Sequence, residues 1–110
     1  MVIYDYATSG GKNLIMEYIL DLPSNERLAI LDVREEIRLT GYDAFLKLNT
    51  RQLRGKLWEI KVGMHRIMYV ILNADSVVFL HIFKKQKNKT ERQEIELALK
   101  RARDEKIMGN

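Results

Sequence analysis

A chain of 110 residues in which 46% of positions are hydrophobic and 31% charged, with one Pro and six Gly, has the length of one domain and too much apolar material for disorder. It has no cysteine, which excludes disulfides, thiolate zinc centres and cysteine nucleophiles, and its two histidines make a histidine-built metal site an unfavoured reading. The net charge of +4 is unevenly divided: residues 1–50 hold five Lys/Arg against eight Asp/Glu, a net of −3, whereas residues 51–110 hold fourteen against seven, a net of +7.

Val2 to Tyr6 is a β-branched and aromatic run broken by Thr8-Ser9-Gly10-Gly11, which predicts a first strand and a turn. Leu14, Ile15, Tyr18, Ile19 and Leu22 then form one helical stripe that Pro23 stops. Ser24 is placed to cap a second helix. There Leu28, Ile30, Leu31, Val33 and Ile37 make the apolar face, Arg27, Asp32, Arg34, Glu35 and Arg38 line the other, and Gly41 ends the run. So short a connection makes the two helices a hairpin. Tyr42 to Gly55 has no sustained period and reads as a connection.

Leu57 to Val62 alternates, which predicts a half-buried strand with Trp58, Ile60 and Val62 in the core and Leu57, Glu59 and Lys61 towards solvent. His65 to Leu72 and Ser76 to Phe83 are almost continuously apolar and are separated by Asn73-Ala74-Asp75, the pattern of central antiparallel strands. Thr90 is placed to cap a last helix whose stripe is Ile95, Ala98, Leu99 and Ala102. The order βααβββα predicts a single α+β domain over residues 1–110, an antiparallel sheet with its helices packed together on one face. No stretch approaches the roughly 18 apolar residues of a membrane span and no basic leader opens the chain, so the expected location is the cytoplasm.

The positive charge is concentrated in one place: residues 51–90 carry nine Lys/Arg against Glu59 and Asp75 alone. That is the footprint of a polyanion site, nucleic acid foremost, with a solvated basic face as the plainer reading. Lys61 lies on its strand's solvent face, Arg66 opens the next strand, and Lys84 and Lys85 leave the third, so neighbouring strands would gather them over one region. Lys87, Lys89 and Arg92 carry the charge on towards the start of the last helix. His81, on one face with Phe79 and Phe83, reads first as buried and hydrogen-bonded and second as an acid or base at the rim of the cationic region. His65, in a turn before Arg66, reads as exposed, and Tyr69 as core. No phosphate-binding glycine loop, metal motif, Ser-His-Asp order or pair of catalytic carboxylates is visible.

Leu53-Arg54-Gly55-Lys56-Leu57-Trp58-Glu59-Ile60-Lys61-Val62, then His65-Arg66-Ile67-Met68-Tyr69, then Val78-Phe79-Leu80-His81-Ile82-Phe83-Lys84-Lys85 before a charged helix resembles the phage-related branch of the HigB/RelE-type toxins. The likeness covers nearly the whole chain. It implies a RelE-like fold and the toxin of a type II toxin–antitoxin pair, an endoribonuclease without metal or cofactor that enters the ribosomal decoding site and cuts the messenger. It also implies a cognate antitoxin, a helix-turn-helix protein of the HigA type, and a hetero-oligomer with it. Under this reading Arg66, Lys84, Lys85, Lys61 and His81 are the catalytic candidates, and Arg51, Arg54, Lys56, Lys87 and Lys89 the RNA-binding ones. Arg66 would clamp the phosphate with paired donors, while a lysine crowded by like charge would serve as general base. Members of the branch usually place Arg where Lys61 stands, so a planar fork is replaced by a point charge. Two other readings use the same basic face: a non-catalytic RNA- or ribosome-binding module, and an operator-binding partner of an antitoxin.

Overall fold

The computed structural model describes residues 1–86 and 91–105. Strand β1 (Val2–Asp5) leads through a loop to helices α1 (Leu14–Leu20) and α2 (Ser24–Thr40), then to a 3-10 turn at Gly41–Asp43 and a one-turn helix α3 (Ala44–Lys47). Four strands follow, β2 (Thr50–Arg54), β3 (Leu57–Val62), β4 (His65–Asn73) and β5 (Ser76–Lys84), and helix α4 (Arg92–Asp104) closes the described chain. The Asn13 side chain accepts the Met16 N–H at 2.9 Å and so caps α1. Ser24 opens α2 without a capping bond, contrary to expectation, because Pro23 occupies the cap position. The expected cap at Thr90 lies outside the described residues.

The five strands form one mixed sheet in the order β1-β5-β4-β3-β2. β2 to β5 pair antiparallel in chain order, but β1 returns to the far edge and runs parallel to β5, with Val2 opposite Ser76 and Asp5 opposite Phe79. The expectation of a purely antiparallel sheet is therefore corrected: a β-branched run announces a strand but not its direction against a partner some seventy residues away. The strand order gains one member as well. Arg51, Gln52 and Arg54 of β2 are exposed and Leu53 is an extra residue in the pairing with β3, so an edge strand with a bulge leaves no regular apolar alternation.

Both faces of the sheet are covered, which corrects the placing of all helices on one side. The first helices pack Ile15, Ile19, Ile30 and Ile37 against Ile60, Ile67, Tyr69 and Phe79. Helix α4 packs Ala98, Leu99 and Ala102 against Leu57, Met68, Val70 and Leu80 on the opposite face. The nearly unbroken apolar runs of β4 and β5 follow from this, since central strands buried on both sides have no polar face to alternate with. The face of β3 that carries Leu57, Glu59 and Lys61 thus lies under α4, with Glu59 fully buried. Trp58, expected as a core anchor, is 37% exposed, in a groove lined also by Tyr42, Leu46 and Lys56. His65 moves the other way. Its ring is buried between Tyr18 of α1 and Glu26 of α2, where exposure was expected. Among the described residues no helix is long and apolar enough to cross a membrane.

Candidate functional site

A two-residue turn, Gly63-Met64, joins β3 to β4, and Gly63 adopts φ +60°, the left-handed conformation that such hairpins need and that favours glycine. The turn sets Lys61 directly across from Arg66, and Arg66 in turn across from Phe83 of β5. Because residues opposite each other in an antiparallel pair share a face, Lys61, Arg66 and Phe83 point to the α4 side. Lys84 pairs with His65 and falls on the other side, exposed at the rim. Lys85, just past β5, reaches back to the α4 side, where its Nζ stands 3.1 Å from Glu91 Oε1. The sequence-predicted catalytic set is thus divided: Lys61, Arg66 and Lys85 come together, while Lys84 flanks them.

Arg66 is itself held. Its Nη1 donates to the carbonyls of Gly63 at 2.8 Å and His65 at 3.1 Å, and its Nε is buried without a hydrogen-bond partner among the described residues. The guanidinium expected to offer paired donors is tied down on one nitrogen, and its Nη2 has no hydrogen-bond partner among the described residues. Lys61, Arg66 and Lys84 have no ion pair among the described residues.

The sequence shows no carboxylate pair here, yet the structure builds one. Arg51 Nη2 contacts Glu59 Oε2 at 3.0 Å and Glu91 Oε2 at 2.7 Å, so residues forty positions apart meet on one atom. The contact with Glu59 lacks hydrogen-bond alignment, and both Glu59 oxygens are buried without an aligned partner among the described residues. Burial, then the neighbouring Glu91, pushes the Glu59 carboxyl above the usual range against the pull of Arg51 and Arg66. Burial would raise Glu91 too, but its hydrogen bond with Lys85, the neighbouring Glu59 carboxyl and the charges of Lys85 and Arg51 leave it lowered. The one sequence signal was an acid, Glu59, on a strand face that also carries Leu57; its partner across the fold left no local trace.

The basic region is therefore partly neutralised from within. Arg51 is held by Glu59 and Glu91, Lys85 by Glu91, and Arg54 stands 3.3 Å from Glu96 of α4. A cavity of about 450 Å³ opens between β2 and α4, lined among others by Arg51, Arg54, Lys85, Glu91 and Arg92. Lys56 lies apart from it, in the groove with Trp58. Lys87 and Lys89 lie outside the described residues.

His81 is half-buried and bonded as expected, but its neighbours differ. Leu80 is an extra residue in β5, since Met68 pairs with His81 and Tyr69 with Phe79. The bulge turns Phe79 to the first helices and leaves His81 on the α4 side, stacked on Phe83 at 5.3 Å. Its Nε2 lies 2.9 Å from Glu94 Oε2 and its Nδ1 3.3 Å from Arg101 Nη1. Burial lowers its pKa from the ordinary histidine value although Glu94 pulls upward. Tyr69 is core, as expected.

Residues 17–103 match the model of a protein family described as phage-derived protein Gp49-like. No curated protein matches the chain.

Proposed function

The chain belongs to the Gp49-like family of phage-derived proteins, a RelE/HigB-like toxin family, and we propose that it is the toxin of a type II toxin–antitoxin pair that cuts messenger RNA on the ribosome. The observation that carries this reading is the cluster of Lys61, Arg66 and Lys85 at one end of the sheet, beside the start of α4 and flanked by Lys84. In the reaction the RNA's own 2′-oxygen attacks the adjacent phosphorus and gives up its proton. The bond from phosphorus to the 5′-oxygen breaks, and that oxygen takes a proton. The phosphorane-like transition state carries more negative charge than the ground state, so fixed cations stabilise it selectively. Arg66 is the first residue assigned to the non-bridging oxygens, through its Nη2, which has no partner among the described residues, with Lys61 beside it. The required 2′-hydroxyl would confine the activity to RNA. The antitoxin would be a helix-turn-helix protein of the HigA type, and the site of action the cytoplasm, where ribosomes are.

One observation favours a second reading. Lys85 already has a carboxylate partner in Glu91, which takes it out of the stabilisation of a transition state and leaves Lys61, Arg66 and Lys84 to bind RNA or ribosome without cutting it. Induced alone, the chain should arrest growth with messenger cut on ribosomes, and a cognate antitoxin should restore growth. Normal growth at verified soluble expression refutes the toxin, and ribosome binding without scission moves the case to the binding module.

A further inference from the structure

His65 is a buried polar side chain for which the proposed reaction has no use. Its ring is 3% exposed, with Nδ1 2.8 Å from the Tyr18 hydroxyl and Nε2 2.7 Å from Glu26 Oε1. A carboxylate only accepts, so Nε2 carries a ring proton, and in the neutral imidazole Nδ1 accepts the Tyr18 O–H. Burial and the Glu26 charge push the Tyr18 phenol up to about 12, so it keeps that proton at neutral pH. All three groups are therefore satisfied in one direction, and the ring is fixed to both helices of the hairpin.

The backbone of the same residue belongs to the cationic cluster. The His65 and Gly63 carbonyls both accept from Arg66 Nη1, and the Met64 carbonyl accepts the Lys85 backbone N–H at 2.7 Å. The Gly63–His65 turn is thus a cradle for the Arg66 guanidinium and a tether for Lys85, and the His65 ring anchors the cradle to the helices. We infer that His65, locked by Glu26 and Tyr18, is a positioning residue that aims Arg66 at the phosphate. The inference rests on the proposed cleavage for what Arg66 does, but not for how Arg66 is held.

The test uses the full chain with Tyr18→Phe, which removes only the hydroxyl, and Glu26→Ala, which removes the acceptor from a partly exposed position. Each is made alone and combined with Arg66→Ala. A displacement of the order of 1 Å at a reacting group costs on the order of 10²-fold in rate, so a loosened cradle is expected to slow single-turnover cleavage by about tenfold at unchanged ribosome affinity. Glu26→Gln keeps an acceptor oxygen and should recover most of the rate. In the Arg66→Ala background the same changes should cost nothing further. Equal losses in both backgrounds, or a normal rate per folded molecule, overturn the inference. Should the native chain fail to cleave at all, the proposed function falls and nuclear magnetic resonance of the Arg66 guanidinium decides. Rotation about its Cζ–Nη1 bond, hindered in the native chain and freed in Tyr18→Phe and Glu26→Ala, supports the cradle; unchanged rotation overturns it.

Discussion

Glu59 and Glu91 meet on a single nitrogen of Arg51, one fully buried and the other nearly so, in the midst of the most basic part of the chain. The two respond to pH with opposite signs. Glu59, raised when folded, contributes stability below its unfolded pKa and loses it as pH climbs through the folded one. Glu91, lowered when folded, contributes above its unfolded pKa and loses it as pH falls. Glu59→Gln keeps the shape and removes the first dependence, while the Lys85 and Arg51 contributions to the second remain. The variant should gain stability relative to the native chain as pH rises from about 5 to about 8. Urea unfolding at both ends of that range measures it, and a variant that falls further behind at the higher pH would show that the buried charge is well compensated.

Glu91 also holds Lys85 and Arg51 away from any phosphate. Glu91→Gln should release both, so that RNA binds more tightly and its affinity falls more steeply with salt, by about one further counterion for each cation freed. Titrations of a single-stranded RNA at several salt concentrations read the slope. An unchanged slope would mean that Arg51 and Lys85 stay folded onto Glu59 and the backbone after the charge is gone.

How much of this was legible in the sequence depended on how local each signal was. The stripe of Ile15, Ile19 and Leu22 and the stop at Pro23 lie within a few residues of each other, and the first helix could be read from them. β4 and β5 were readable as central strands, but their lack of a polar face also implied a second covering layer, which α4 supplies. β2 was missed because an exposed, bulged edge strand has no apolar period. For the site, alternation put Lys61 and Arg66 in reach of one another, and the register bears this out. The pairing of Glu59 with Glu91, and of His65 with Tyr18 and Glu26, joins residues 32 to 47 positions apart; no periodicity encodes such contacts.

Trp58 and Phe79 offer a direct check on the core. Phe79 is fully buried with the Arg34 guanidinium 5.3 Å from its ring centre, whereas Trp58 lies over a third exposed. Phe79→Ala should cost about 3–5 kcal/mol by emptying a packed site. Trp58→Ala should cost no more than about 1–2 kcal/mol, because much of its surface already meets water. Chemical unfolding of the two variants separates them, and a Trp58→Ala chain as unstable as Phe79→Ala would place the indole in the core after all.

Arg66 is where catalysis and binding part. Under the proposed cleavage, its removal would take away a charge-assisted contact that strengthens as the phosphorane forms, so Arg66→Ala should slow single-turnover cleavage on programmed ribosomes by on the order of 10²-fold. The fold should survive. Among the described residues the guanidinium donates to the Gly63 and His65 carbonyls and its buried Nε has no partner, so the loss also relieves an unsatisfied group. Arg66→Lys keeps the charge, loses the planar guanidinium whose Nη1 donates to both carbonyls, and should recover only part of the rate. Circular dichroism and ribosome affinity, recorded for each variant, keep misfolding and weak binding apart from lost chemistry. Full cleavage by a folded Arg66→Ala chain would move the assignment to Lys61, its cross-strand neighbour.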